Sequence, residues 1–332
     1  MIVIDTHFQQ EDQMTVVKGV SVCRSSQEMK DLKTAMGEFL NKGQYGSIHI
    51  ATNDANLVWK ILKQNKHEKV LTEVYAMSRL LGHSHIVQFR CYQTNGLIQG
   101  ICMERIRGQE LFDEINDKTL SVANIHSITH QLASAIAYIH SKGIAHRDIK
   151  PENVMIERKG STHVRAVIID FGEAKCFDDN KIMHSVVGTP YYIPYEMAMG
   201  ISYTSKCDIW SFGITVYVMW FMTYPFTNRA DIQYQRYQLD DSTIEKSLKV
   251  TRGCLLVHRG EVPQSILTLF KAHLFVTEHN RFDAVQLLAY LNDHDDAMVD
   301  EHTKAVEDKT ELYSAEEQAV AHCLANWPSY LP

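Results

Sequence analysis

The chain has 332 residues, 45% hydrophobic and 22% charged, with 16 Gly and 7 Pro. That composition excludes a disordered or collagen-like polymer and supplies apolar surface for a large core. The formal charge of −7 excludes a broad basic footprint for nucleic acid.

The acidity is uneven. From Asp293 to Pro332 there are ten Asp/Glu against two Lys and no Arg, so the remaining body is close to neutral. Seven cysteines, scattered and without a CxxC pair, argue against a disulfide framework or a structural zinc site. The opening residues MIVIDTHFQQEDQ lack a basic segment followed by an apolar one, and no N-x-S/T sequon occurs. An intracellular protein, cytoplasmic or nuclear or both, is the expectation.

In chain order, residues 1–36 are polar and irregular and read as an extension. Phe39 to Leu62 favours strands, with a Gly-containing loop at Lys42–Ser47. Val70, Val74, Met77 and Leu81 recur at helical spacing and stop at Gly82. Two more strands are expected at Ile86–Tyr92 and Leu97–Met103. After Arg107-Gly108 the pattern changes. Ile125, Ile128, Leu132, Ile136 and Ile139 predict a long amphipathic helix that begins after Ser121 and ends at Gly143. Short strands follow at Val154–Ile156 and Ala166–Ile169, and the pattern from Tyr195 to about Leu291 is largely helical. The apolar run Ile209–Met222 is shorter than the ~20 residues of a membrane span and follows Asp208 directly, so a buried central helix is expected. The fold class is α+β, a small strand-rich lobe joined to a larger helical one.

The densest chemistry lies in His146-Arg147-Asp148-Ile149-Lys150-Pro151-Glu152-Asn153. So many polar and ionisable residues between a helix and an apolar strand make a poor core segment. Further on, Asp170-Phe171-Gly172 follows the apolar run Ala166–Ile169, where a carboxylate emerging from a buried strand is placed to hold a metal ion. In this order and at this distance, the two segments resemble the catalytic and metal-binding loops of eukaryotic-type serine/threonine protein kinases.

The resemblance runs from about Gly37 to Leu291. It implies a bilobal kinase domain over 37–291, with an N-lobe of 37–106 and a C-lobe of 107–291, between the extension 1–36 and an acidic tail 292–332. Asn41-Lys-Gly43-Gln-Tyr-Gly46-Ser-Ile48 resembles the Gly-rich loop over ATP, with Asn41 where the family has its first glycine. Val58 and Lys60 match the strand beneath that loop. Lys60 is implied to hold the phosphates, oriented by Glu73, which shares a helix face with Val70 and Met77; Glu68 is a second candidate. The segment Gly100 to Phe112 is similar to the hinge of calmodulin-dependent-type kinases. On that likeness Met103 is the gatekeeper, the backbones of Glu104 and Ile106 meet adenine, and Glu110 reaches the ribose or a basic substrate residue.

The same resemblance implies Asp148 as catalytic base and Lys150 as stabiliser of the phosphoryl group in flight. Thr189, in Gly-Thr-Pro, goes with Lys150 as a Ser/Thr-kinase feature. Asn153 and Asp170 are the implied Mg2+ ligands beside ATP. Pro194-Tyr195-Glu196 stands where the family has Ala-Pro-Glu, with Arg281 as the partner of Glu196, and Asp208 opens the buried helix. Ser185 is the implied regulatory phosphosite, facing Arg147 and Lys175. Partners are protein substrates with Ser/Thr acceptors, with basic residues upstream that face Glu110 and Glu152. A nucleotide-binding scaffold without transfer is the competing reading, prompted by Asn41 and Pro194-Tyr195. His126 and His130, at i and i+4 with no third ligand, are expected to be solvated helix histidines. The tail's acidity favours a solvated face or flexible segment peripheral to catalysis, with a short docking helix of Val320, Cys323 and Leu324 with Trp327 as the alternative.

Overall fold

Six strands build the first sheet: β1 (Val22–Cys23), β2 (Met36–Lys42), β3 (Gly46–Ala51), β4 (Asp54–Leu62), β5 (Phe89–Thr94) and β6 (Gln99–Glu104), in the order β1-β5-β6-β4-β3-β2. The computed structural model describes residues 22–23, 35–42, 46–62, 67–94, 99–159, 163–177, 182–226, 242–244, 247 and 262–294. The tail from residue 295, with both readings of it, and Gly43 lie outside the described residues.

Register sorts the sheet's two faces. Directly opposed residues point the same way, so His49, Trp59, Cys102 and Cys91 form one cross-strand row. Their neighbours Ile48, Lys60, Ile101, Val58 and Met103 point the opposite way, toward the main core and the cleft. Helix α1 (His67–Arg79) covers that inner face with Val70, Val74, Ala76 and Met77.

Three local expectations in this lobe need correction. The helix ends at Arg79, and Gly82 at φ 91° turns the chain, so Leu81 is 45% exposed while Leu80 takes the buried place. The strand expected from Ile86 begins only at Phe89. Ile86 forms an isolated parallel bridge with Ile168, and the Val87 N–H donates to the Ile168 carbonyl at 2.9 Å, so this backbone is spent on the other lobe. Within the expected extension, Val22–Cys23 pairs in parallel with Tyr92–Gln93 and supplies an edge strand.

The second lobe starts with β7 (Gln109–Glu110), α2 (Leu111–Asn116) and α3 (Val122–Ser141). Ser121 caps α3 reciprocally with Asn124, each side chain accepting from the other's backbone N–H, worth ~1 kcal/mol. Strands β8 (Ile144–Ala145), β9 (Val154–Lys159), β10 (His163–Ile168) and β11 (Lys175–Cys176) follow, with sheet orders β10-β9-β7 and β11-β8. After α4 (Tyr195–Ala198) comes α5 (Lys206–Phe221), buried from Cys207 to its end. Helix α6 (Gln264–Thr268) runs into a π-helical turn, Leu269–Leu274, before α7 (Ala284–Asp293). Among the described residues no helix is long and apolar enough to cross a membrane. His126 is not solvated: it is 7% exposed and meets the Trp220 ring edge-on at 5.3 Å. The buried helix expected at Ile209–Met222 forms as the centre of this lobe.

Arg281 is 2% exposed and spends its guanidinium fully. It donates to both Glu196 carboxylate oxygens and to the carbonyls of Leu274, Lys206 and Val276, and it lies over the Trp210 ring at 5.0 Å. Removing one partner of such a pair strands a buried charge. Arg281→Ala is therefore expected to cost ~3–5 kcal/mol, seen as a lower urea midpoint at unchanged slope.

Candidate active site

Lys60 projects from the inner face of β4 between two carboxylates contributed by different parts of the fold. Its Nζ donates to Glu73 Oε1 at 2.6 Å and to Asp170 Oδ1 at 2.9 Å. Lys60 is 7% and Glu73 3% exposed. Burial alone would lower the Lys60 pKa, but the Glu73 and Asp170 carboxylates outweigh it and raise it, so the ammonium is kept charged. Burial likewise works to raise Asp170. The Lys60 ammonium and the Gly172 N–H, which donates to Oδ1 at 2.9 Å, overcome it and hold this carboxyl below its ordinary range. Three donors on the ammonium leave one for a further anion. A second link joins the same elements: Lys69 of α1 donates to Glu173 at 2.6 Å.

Asp148 stands on a loop with a strained backbone. Arg147 has φ 68°, unfavourable for a residue with a Cβ. The carboxylate of Asp208, fully buried at the start of α5, accepts from the N–H groups of His146 and Arg147 at 2.8 and 2.7 Å, and His140 Nε2 lies 2.8 Å from Oδ2. Burial pushes the Asp208 pKa up, yet the His140 contact, joined by the His146 side chain and the Arg147 N–H, brings it below the usual value.

The Asp148 carboxylate is itself gripped on both oxygens. Thr189 Oγ1 donates to Oδ1 at 2.8 Å, while Asn153 Nδ2 donates to Oδ2 at 2.9 Å. Lys150 Nζ lies 3.0 Å from Oδ2 and donates to Thr189 at 2.6 Å. Gly188, at φ 87°, permits the approach of this segment: a Cβ there would come within 2.6 Å of the Arg147 carbonyl.

Asn153 spends Nδ2 on Asp148, and Asp170 takes its donors on Oδ1. Asn153 Oδ1 and Asp170 Oδ2 are left without a donor among the described residues, an oxygen pair that could hold a hard divalent cation.

Lys60, Asp148, Lys150, Asn153 and Asp170 line one cleft of about 840 Å³ between the lobes. Ile48, Val58, Met103 and Ile169 supply apolar walls, and Asn41, Gly46, Lys60, Glu104, Ile106 and Glu110 line it too. The Glu104 side chain is engaged elsewhere, accepting from Gln88 N–H and Arg165, so only its backbone serves the cleft. Asn41 accepts from the Lys42 N–H at 2.7 Å. Sequence reasoning missed Met155, whose place in the β9 alternation between buried Val154 and Ile156 was the available signal, and the Lys69–Glu173 link, for which there was none.

Arg147 Nη1 donates to Ser185 Oγ at 2.7 Å, and its Nε donates to the Glu173 carbonyl. Lys175 lies in β11 opposite Ala145, and no hydrogen bond or ion pair joins it to Ser185 among the described residues. The bare Ser185 hydroxyl already holds Arg147.

A protein kinase domain model matches residues 34–291. Calcium-dependent protein kinase 5 of Plasmodium berghei is 36% identical over 189 residues, 54% of this chain and 33% of its own length. CBL-interacting protein kinase 1 of Oryza sativa is 32% identical over 237 residues, 67% of this chain and 50% of the relative. CBL-interacting protein kinase 17 of the same plant is 29% identical over 277 residues, covering 79% and 60%. The chain thus spans a third to three-fifths of the length of these relatives.

Proposed function

Since the chain belongs to the protein kinase domain family, we propose that it transfers the γ-phosphoryl of ATP to Ser/Thr hydroxyls of protein substrates. The observation that carries this is Lys60, shared between Glu73 and Asp170 in the cleft that also holds Asp148. The assignment covers a kinase domain of 37–291; an intracellular place of action remains part of the same proposal.

Transfer of this kind asks mainly for positioning and for neutralisation of charge. Lys60 offers its remaining N–H to the α- and β-phosphates. Asp148, aimed by Thr189 and Asn153, accepts the proton of the substrate hydroxyl. Lys150, already bound to Thr189, carries positive charge to the oxygens of the phosphoryl group in flight. Mg2+, fitting Asn153 Oδ1 and Asp170 Oδ2, would neutralise phosphate charge when bound. Adenine is read by the Glu104 and Ile106 backbones.

Substrate preference follows from crowded carboxylates. Glu110 and Glu152 line the cleft with Asp113, and Glu152 Oε2 is buried without a hydrogen-bond partner. Burial, then the neighbouring Asp113 and Glu152 charges, raises the Glu110 pKa; burial raises that of Glu152. An Arg or Lys upstream of the acceptor would relieve both. Ser185 is exposed and 2.7 Å from Arg147 Nη1. A phosphate there, adding about −1.5 to −2 charges, would turn that hydrogen bond into an ion pair.

Three outcomes test these readings. With Mg-ATP and Ser/Thr peptides, Asp148→Asn is expected to lower kcat by ~10²–10⁴, and Lys60→Met and Asp170→Asn to abolish transfer, with melting curves close to the parent's. Undiminished turnover in any of them removes the site assignment, and nucleotide binding without transfer by the parent leaves the scaffold reading. Peptides with upstream Arg should outperform Ala versions. Because raised carboxyl groups take up protons before ordinary ones as pH falls, that advantage should shrink on acidification, starting above the ordinary carboxyl range; a pH-independent or absent advantage overturns it. Ser185→Ala should lower turnover with little change in melting temperature, and full activity would mark the domain as constitutive.

A further inference from the structure

The outer face of the first sheet carries a feature the cleft does not use. Cys91 of β5 and Cys102 of β6 are directly opposed in the antiparallel ladder, beside a register shift between Phe89 and Cys91. Opposed residues share a face, with Cα atoms ~4.5–5.5 Å apart, inside the ~4.4–6.8 Å range that a disulfide bridges. Both are free thiols; Cys102 is 3% exposed beneath Trp59, and Cys91 is half-buried at the margin.

We propose that Cys91 and Cys102 form a two-electron redox site, closed by peroxide-class oxidants to a cross-strand disulfide and reopened by thiols. The Cys102 thiolate attacks one peroxide oxygen; the O–O bond breaks, hydroxide leaves and a sulfenic acid forms. The Cys91 sulfur then attacks the Cys102 sulfur. An S–S bond forms, the S–O bond breaks, and the hydroxyl leaves as water with the Cys91 proton. Two thiols lose two electrons and two protons, and the peroxide becomes two waters.

The local chemistry favours this order. The Cys91 thiol hydrogen-bonds Cys102, which lowers the Cys102 pKa; Arg90 adds to that effect, while burial and Asp54 oppose it. The same hydrogen bond, then burial, pushes Cys91 up. The side chains next to the pair, Met103 and Ile101, face the other way. Closure therefore stiffens the sheet behind the cleft without filling it.

The sequence makes the test direct, because Arg90 and Arg105 flank the pair with no basic residue between them. Trypsin thus leaves both cysteines in the single peptide 91–105. The full chain is treated with hydrogen peroxide, alkylated with iodoacetamide, digested and weighed. The expected peptide is two hydrogens lighter and unalkylated. It takes two alkyl groups after dithiothreitol, and the oxidised chain melts higher than the reduced one. In Cys91→Ser, which alters a half-buried position, the lighter peptide should vanish and Cys102 should instead be trapped by dimedone. A peroxide-treated parent peptide carrying two alkyl groups overturns the proposal. So does linkage of Cys91 to a second chain, or an unchanged lighter peptide in a natively melting Cys91→Ser protein.

Discussion

The loop that carries Asp148 depends on one buried carboxylate. Asp208 sits at the start of the most apolar helix, where the unpaired N–H groups and the helix dipole favour a negative charge. From there it binds two consecutive backbone N–H groups, His146 and Arg147, the second of which has a positive φ. A left-handed non-Gly residue persists only when its surroundings over-determine it. The buried carboxylate provides that, and the turn it fixes is what presents Asp148 to the cleft. Helix α5 is apolar all round because its task is to be an immobile centre for this anchor.

The other lobe is joined to that anchor through charge. Lys60 alone draws a strand, a helix and the Asp170 loop to one point. Lys69 and Glu173 repeat the connection at the surface, where the Lys69 side chain is 49% exposed. Such a surface pair contributes only ~0–1 kcal/mol, so of the two charged links the more deeply buried Lys60 is the stronger, and it acts beside the backbone bonds that join Ile86 and Val87 to Ile168. Its two carboxylates answer to different masters: Glu73 to the helix position, Asp170 to the loop after β10. Either one moving away leaves the ammonium buried with half its compensation.

Much of this was legible from the residue order. Glu73 could be chosen because it shares a 3.6-residue period with Val70 and Met77, and a charge on an apolar face next to a strand lysine needs a partner. Asp148 and Asn153 stood out by the density of polar and ionisable groups where a core pattern would be expected, Asp170 by emerging from the apolar run Ala166–Ile169, and the resemblance supplied their roles. What stayed hidden depends on register and long-range docking. The Cys91–Cys102 pair requires knowing where β5 is irregular. Ile86 reads as strand because it is apolar and β-branched, but its backbone is claimed by Ile168 in the other lobe. His126 looks solvated by composition, but it is buried and lies against Trp220. Val22–Cys23 is too short to rise above its polar context.

The segment from Ser185 to Thr189 ties these two systems together. Arg147 holds Ser185 with one guanidinium nitrogen and the Glu173 carbonyl with another, so the strained turn touches both the loop after Asp170 and the segment before Gly188. Tyr203 closes the circle by donating to the Ser185 carbonyl at 2.7 Å. Two residues after Val187, Thr189 relays the Lys150 charge to Asp148 through a single hydroxyl. A displacement at Ser185 has little slack to absorb before it reaches that hydroxyl, because the Gly188 backbone is already packed against the Arg147 carbonyl. Tight backbone contact of this kind passes a shift on rather than dissipating it. The position of Ser185 and the aim of Asp148 are thus linked through Arg147, whose own geometry is held by Asp208.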